Sequence, residues 1–218
     1  MVHLIGVEHH VQFNNPNWVV PQILQNNRNC YSSIIEKTIL RIQPVVVAEE
    51  LNEKWLQGEK GAISILKFVK EDYEARTRIK IQHIFAEPDT PVKDAKGYKE
   101  RETIKAILKA RMQVEPSHEE VMAHVIAHQH PIRENLWLEA INEYKSSEII
   151  FVCGDIHLST FRKLLKEKNI NSRIVAHGIG VDSSCLTEYK GLKFALDNDM
   201  FSETNCFCLE QTSTSKIG

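Results

Sequence analysis

The chain has 218 residues, 42% hydrophobic and 26% charged, with 27 Lys and Arg against 29 Asp and Glu. That length suits one domain with its own core, and a net charge of −2 argues against a polybasic binder of nucleic acid or membrane surfaces. No run approaches the ~18 apolar residues of a membrane helix, the start lacks the blocks of a secretory leader, and five scattered cysteines fit reduced thiols; a cytoplasmic location is expected.

Val2–Val7 is a short apolar run, predicted as a buried strand, and a polar turn over Glu8–Asn17 follows. Helical spacing runs from Ile23 to Ile42 through Ile34, Ile35 and Ile39, and Pro44 closes it. Val45–Ala48 is β-branched and too short for a buried helix, hence a second, central strand. Ala62–Tyr73 returns to helical spacing. Ile79–Ala86 is a third strand, broken by Glu87-Pro-Asp-Thr-Pro91, and Val92–Lys99 reads as loop. Ile104–Met112 is helical. Ser117 and Glu120 form a capping box for a helix that Pro131 interrupts before Ile132–Tyr144 resumes. Ile149–Cys153 is a fourth strand, Leu158–Leu165 a periodic helix and Arg173–Ala176 a fifth strand. Beyond Gly180 a helix over Leu192–Phe201 and a frayed tail over residues 199–218 are expected. Short apolar strands alternating with amphipathic helices are the pattern of a parallel sheet covered on both faces. The fold class is therefore α/β: a three-layer domain with a central, mostly parallel sheet and helices on both faces, spanning residues 1–218 as a single domain.

In open parallel sheets, ligands bind outside the carboxyl ends of the strands. The residues that follow the predicted strands are His9 and His10, Glu49 and Glu50, Glu87 and Asp89, Asp155 and His157, and finally His177, with His83 inside the third strand. Imidazoles and carboxylates gathered at one edge suit a borderline metal ion or acid–base catalysis near neutral pH. Two copies of Gly-x-x-His stand out, Gly6-Val-Glu-His9 and Gly154-Asp-Ile-His157. A glycine at a strand end permits a sharp turn and close approach, and the histidine three residues on is carried over the sheet edge.

These motifs, together with Glu49-Glu50 in Val-Val-Val-Ala-Glu-Glu-Leu and Arg133 in Arg133-Glu-Asn-Leu-Trp-Leu-Glu139, resemble the superfamily of TraB, Tiki, erythromycin-esterase and ChaN-like proteins over roughly residues 2–166. The resemblance implies a small hydrolase of ester or amide bonds, acting on a small molecule or peptide, with His9, Glu49, Glu50, Arg133 and His157 as its catalytic residues. Tiki-like members imply a divalent ion of the zinc, manganese or cobalt class on His9, Glu49, Glu50 and His157; the esterases imply a metal-free site. ChaN-like members imply instead a carrier of haem or another ligand. An interaction domain of a defence or regulatory complex is the remaining alternative.

The residues leave several roles open. Glu49 and Glu50 are adjacent, so strand alternation sends them to opposite faces; one faces the site, the other orients Arg133 or a histidine. His10 competes with His9, but the Gly-x-x-His register selects His9. Asp155 is a ligand or the cap of the following helix, with the cap preferred. Arg133 suits an oxyanion or substrate carboxylate, or a salt bridge to Glu49 or Glu50. Glu87 and His177 border the same edge. His118, His124, His128 and His130 form the densest histidine run; His124 and His128 share a helix face, yet no acidic third ligand accompanies them, and a solvated or lid-forming face is expected. No phosphate loop or Gly-x-Ser-x-Gly elbow is present. Cys153 reads as a small buried hydrophobe, His3 as a core residue, and Cys206-x-Cys208 as too short and isolated for a metal site.

Overall fold

A computed structural model of the chain describes residues 1–59 and 61–180. Seven strands and eight α-helices follow in the order β1 (Val2–Val7), β2 (Phe13–Asn14), α1 (Gln22–Ile42), β3 (Val46–Glu49), α2 (Glu53–Gly58), β4 (Ile63–Ser64), α3 (Ile65–Thr77), β5 (Gln82–Phe85), α4 (Thr90–Ala95), α5 (Arg101–Met112), α6 (His118–His128), α7 (His130–Ile141), β6 (Ile149–Gly154), α8 (Leu158–Glu167) and β7 (Ser172–Ile179). Short 3-10 turns at His9–Val11 and Asp155–His157 follow β1 and β6. Five strands form one sheet in the order β5-β3-β6-β1-β7, with every pair parallel; β2 and β4 make a small antiparallel ribbon.

The sheet is covered on both faces, so the expected three-layer α/β architecture is present. On one face, Ile5, Val47, Ile150 and Val152 pack against Tyr31, Ile35 and Ile39 of α1 and Leu66, Val69 and Tyr73 of α3. On the other, Leu4, Ala48, Phe151 and Cys153 pack against Trp137, Leu138 and Ile141 of α7 and Leu158, Phe161 and Leu165 of α8. Strands buried on both sides read as unbroken apolar runs, which is why β1, β3 and β6 are visible in the sequence. The helices α5 and α6 form a smaller cluster of their own around Ile104, Leu108 and Val121.

Several elements depart from the sequence reading. The third strand is confined to Gln82–Phe85, because pairing with β3 begins only at Val46 and the Ile81 N–H bonds instead to the Glu74 carboxylate at 2.6 Å. Residues 92–99 are not all loop: α4 covers Thr90–Ala95, with Pro91 in its first turn, where a missing N–H costs nothing. The helix expected from Ala62 starts at Ile65, since Ile63 and Ser64 pair with Asn14 and Phe13 and the Ser64 hydroxyl caps the helix by accepting from the Lys67 N–H at 3.0 Å. A short helix, α2, capped by Asn52, was not foreseen. Pro131 lies in the first turn of α7, separating it from α6 as the interruption suggested. The last strand runs on to Ile179 and so contains His177. The expected helix over Leu192–Phe201, the tail and the Cys206-x-Cys208 pair lie outside the described residues. No helix among the described residues is long and apolar enough to cross a membrane.

Candidate functional site

The parallel ladder extends one residue past β3, the Glu50 N–H donating to the Val152 carbonyl at 2.8 Å. Alternation is therefore still in force at Glu49 and Glu50. Glu50 turns to the α7 face, fully buried, and becomes the centre of a polar cluster. Its Oε2 accepts from the Gly154 N–H at 2.7 Å. Its Oε1 accepts from Arg133 Nη2 at 2.5 Å and lies 3.4 Å from His9 Nε2 and 3.7 Å from His157 Nε2. The two Gly-x-x-His histidines thus meet one carboxylate. Gly154 borders the same contact: a Cβ there would stand at ordinary van der Waals distance, 3.4 Å, from both Glu50 Oε2 and His9 Nε2.

Arg133 is delivered from the first turns of α7 and is shared between two carboxylates. Beyond Glu50 it reaches Glu87 Oε2 through Nη2 at 3.0 Å and Nε at 3.2 Å, while Nη1 faces His157 Nε2 at 3.4 Å. Glu87 also accepts from the Trp137 indole N–H at 2.9 Å and pairs with Lys93 at 2.9 Å. Behind His157, Nδ1 lies 2.9 Å from Glu134 Oε1, which also accepts from the Thr160 hydroxyl at 2.5 Å. The His130 ring lies against the His157 ring, centroids 3.9 Å apart.

The electrostatics follow from these contacts. Burial opposes ionisation of Glu50, but Arg133, His157 and His9 outweigh it and hold the carboxyl well below the usual carboxylate range. The Glu50 charge in turn raises the His9 pKa against the opposing effect of burial. His130 goes the other way: burial, then the neighbouring His157 and Arg133, push it down to about 3, so it is neutral near pH 7. Burial also raises the Cys153 thiol well above its ordinary range, in keeping with a small buried hydrophobe.

Of the residues singled out in the sequence, His9, Glu50, Arg133, His157 and Glu87 come together. Glu49 does not. It points to the opposite face of the sheet, where Oε1 accepts from the Ser64 hydroxyl at 2.6 Å and meets His83 Nε2 at 2.8 Å. His10 is exposed; its carbonyl, not its ring, is held by Arg28, at 3.3 Å from Nε and 3.2 Å from Nη2. Asp155 is neither a member of the cluster nor a helix cap: its Oδ1 accepts from the Gly178 N–H of β7 at 2.7 Å. His177 sits partly buried within β7. His3 is buried as expected, between Glu148 and Arg173.

Sequence reasoning missed Glu134, Trp137, Lys93 and Thr160, and misplaced His130. Only His118, His124 and His128 lie on α6, none of them buried; His130 opens α7 and is buried. The signal was present as spacing. His130, Arg133, Glu134 and Trp137 recur at three and four residues and share one helical face, the face turned to the sheet edge.

A divalent ion shared by His9, Glu50 and His157, as the resemblance implies, does not fit this arrangement. Both Glu50 oxygens are engaged, and the oxygen nearest the histidines already carries the Arg133 cation. Glu49 lies on the other face. Among the described residues, the donor atoms that do lie within 4.8 Å of one another belong to His130, Glu134 and His157. Comparison of the chain with protein-family models, with curated proteins and with solved structures found no match.

Proposed function

We propose that the chain is a hydrolase of ester or amide bonds, of the TraB, Tiki, erythromycin-esterase and ChaN-like kind, with His9 as the base that activates water. The observation that carries this reading is the His9–Glu50 pair. One imidazole, 47% exposed at the carboxyl end of the sheet, is backed at 3.4 Å by a buried, ionised carboxylate. A carboxylate behind a histidine fixes its tautomer and stabilises the imidazolium that forms on proton uptake.

In this reading Glu50 accepts from His9 Nε2–H, and Nδ1, whose neighbour is the Gln12 amide at 3.4 Å, takes the proton from water. The water oxygen bonds to the acyl carbon. The negative charge that develops on the carbonyl oxygen is met by Arg133 Nη1, the guanidinium nitrogen not committed to Glu50 or Glu87. The proton on His9 then passes to the leaving alcohol or amine as the carbon–oxygen or carbon–nitrogen bond breaks. His157 is too buried to touch substrate and acts as a positioning residue, anchored by Glu134. A cleft of about 460 Å³ lined by Asn52, Trp55, Pro88, Asp89 and Lys93 opens next to Glu87; His9, Glu50 and Arg133 do not line it.

The test is a panel of p-nitrophenyl esters and aminoacyl p-nitroanilides. Turnover of at least one substrate is expected, lowered roughly 100-fold or more by His9→Ala, the ordinary worth of a general base. No turnover on any of the panel, or a His9→Ala protein as fast as the parent, would sink the reading.

A further inference from the structure

We propose that His130, Glu134 and His157 bind one divalent cation of the borderline class, zinc or cobalt, buried behind the His9–Glu50 pair and separate from it. The first ground is the donor set: two imidazoles and a carboxylate, none more than 4% exposed, with one ligand atom of each within 4.8 Å of the others. Such a set suits first-row ions that accept nitrogen and oxygen ligands. His130 and Glu134 stand one turn apart on α7, and His157 enters from the turn after β6, so the ion would clamp a helix to a strand end.

The second ground is charge. Glu50 and Glu87 share the cations of Arg133 and Lys93. Glu134 has no Lys or Arg partner among the described residues; its contacts are the His157 ring and the Thr160 hydroxyl. A buried carboxylate without a cation is costly, and an ion at this point supplies the missing charge. The third ground is His130 Nδ1, a buried ring nitrogen with no hydrogen-bond partner. Buried polar atoms in folded proteins are nearly always satisfied, and an ion bound through Nδ1 would satisfy this one.

A ligating histidine turns its second nitrogen to a neighbouring acceptor. The second nitrogen of His157, Nε2, lies 3.4 Å from Arg133 Nη1 and 3.7 Å from Glu50 Oε1, so an ion on Nδ1 would stand one ring away from the carboxylate that orients His9.

The experiment titrates the full chain, carrying Cys206→Ser and Cys208→Ser so that those thiols cannot serve as ligands, with Co2+ followed by its visible ligand-field absorption and with Zn2+ by equilibrium dialysis. One equivalent is expected, with no thiolate-to-metal charge-transfer band and with a rise in Tm on zinc addition. His130→Gln and Glu134→Gln are each expected to lose the equivalent and the rise in Tm; circular dichroism and the Tm of the metal-free variants show whether they fold. Thr160→Val, which removes only the hydroxyl that holds Glu134, is expected to weaken binding roughly 10–100-fold. His9→Ala is expected to bind as the parent does. Absence of uptake by the parent chain overturns the proposal, as does uptake that survives both Gln variants. Loss of uptake in His9→Ala also overturns it, since the ion would then sit on the His9–Glu50 pair. None of these readouts depends on hydrolysis, so the proposal stands or falls apart from the hydrolase reading.

Discussion

The glycines of the two Gly-x-x-His motifs do different work, and Gly6→Ala against Gly154→Ala separates them. A Cβ on Gly6 would stand 2.3 Å from Asp155 Oδ1 and 2.3 Å from Leu158 Cδ1, more than an ångström inside ordinary contact. Leu158 is fully buried and has nowhere to move. Asp155 can retreat only by releasing the Gly178 N–H that it holds at 2.7 Å. Overpacking of this kind costs about 1–3 kcal/mol, and loss of a charged hydrogen bond about 1.5–3 kcal/mol. Gly6→Ala is therefore expected to lose about 3–5 kcal/mol, a fall in Tm of about 6–20 °C for a chain of this size. At Gly154 the backbone, φ −56° and ψ 138°, suits any L-residue, and the added methyl meets only ordinary contacts at 3.4–3.7 Å. Its stability should stay within about 1 kcal/mol of the parent, the usual scale of a tolerated substitution. The methyl rests beside His9 Nε2 and Glu50 Oε2 without entering the contact between His9 Nε2 and Glu50 Oε1, so hydrolysis should stay within roughly tenfold of the parent. Thermal and urea unfolding, beside turnover of whichever substrate the panel reveals, give both numbers. If Gly154→Ala unfolds as early as Gly6→Ala, or Gly6→Ala unfolds with the parent, the reasoning fails.

Hydrolysis should rise with pH through the raised pKa of His9, because the neutral imidazole is the base, and Glu50→Gln should move that rise to lower pH; a pH–rate profile that Glu50→Gln leaves in place contradicts the pairing. In the ion-free protein, His130 titrates near 3 when folded against about 6.5 when unfolded. Its contribution to stability is thus complete above about pH 6.5 and drains away as pH falls toward 3; His130→Phe should flatten that part of the stability curve, and a parallel loss in both proteins would refute it. Glu87→Gln removes the charge that shares Arg133 with Glu50 and is paired with Lys93; a loss of roughly 3 kcal/mol in urea unfolding is expected from breaking a buried pair, and a neutral result would mean that Glu50 alone holds the arginine.

The layered fold was readable because its central strands are buried on both faces and carry little besides aliphatic residues. The edge strand β5 has one neighbour and was read too long, since nothing in Ile79–Ile81 marks where pairing stops. Strand ends also placed His9 and His157 correctly, because a glycine before a turn is a local feature. Choosing between Glu49 and Glu50 depended on the ladder continuing to Val152, a contact between residues 50 and 152 that no local pattern encodes. Asp155 was misread for a similar reason: its partner is on β7, reached across the gap that Gly6 leaves in β1. His130 and Glu134 were hidden by their neighbours, a run of unburied histidines on α6 that ends two residues earlier.

Trp137 gives the cluster a voice in light. Its indole is fully buried, 4.8 Å from the His157 ring and 5.2 Å from the Arg133 guanidinium carbon, whereas Trp18 and Trp55 are 42% and 43% exposed. An aqueous quencher can therefore silence the two outer indoles and leave the inner one shining. The remaining emission then comes only from an indole in contact with His157 and Arg133. The chain thus has a fluorophore of its own inside the polar cluster, and changes there can be followed without a label or a substrate.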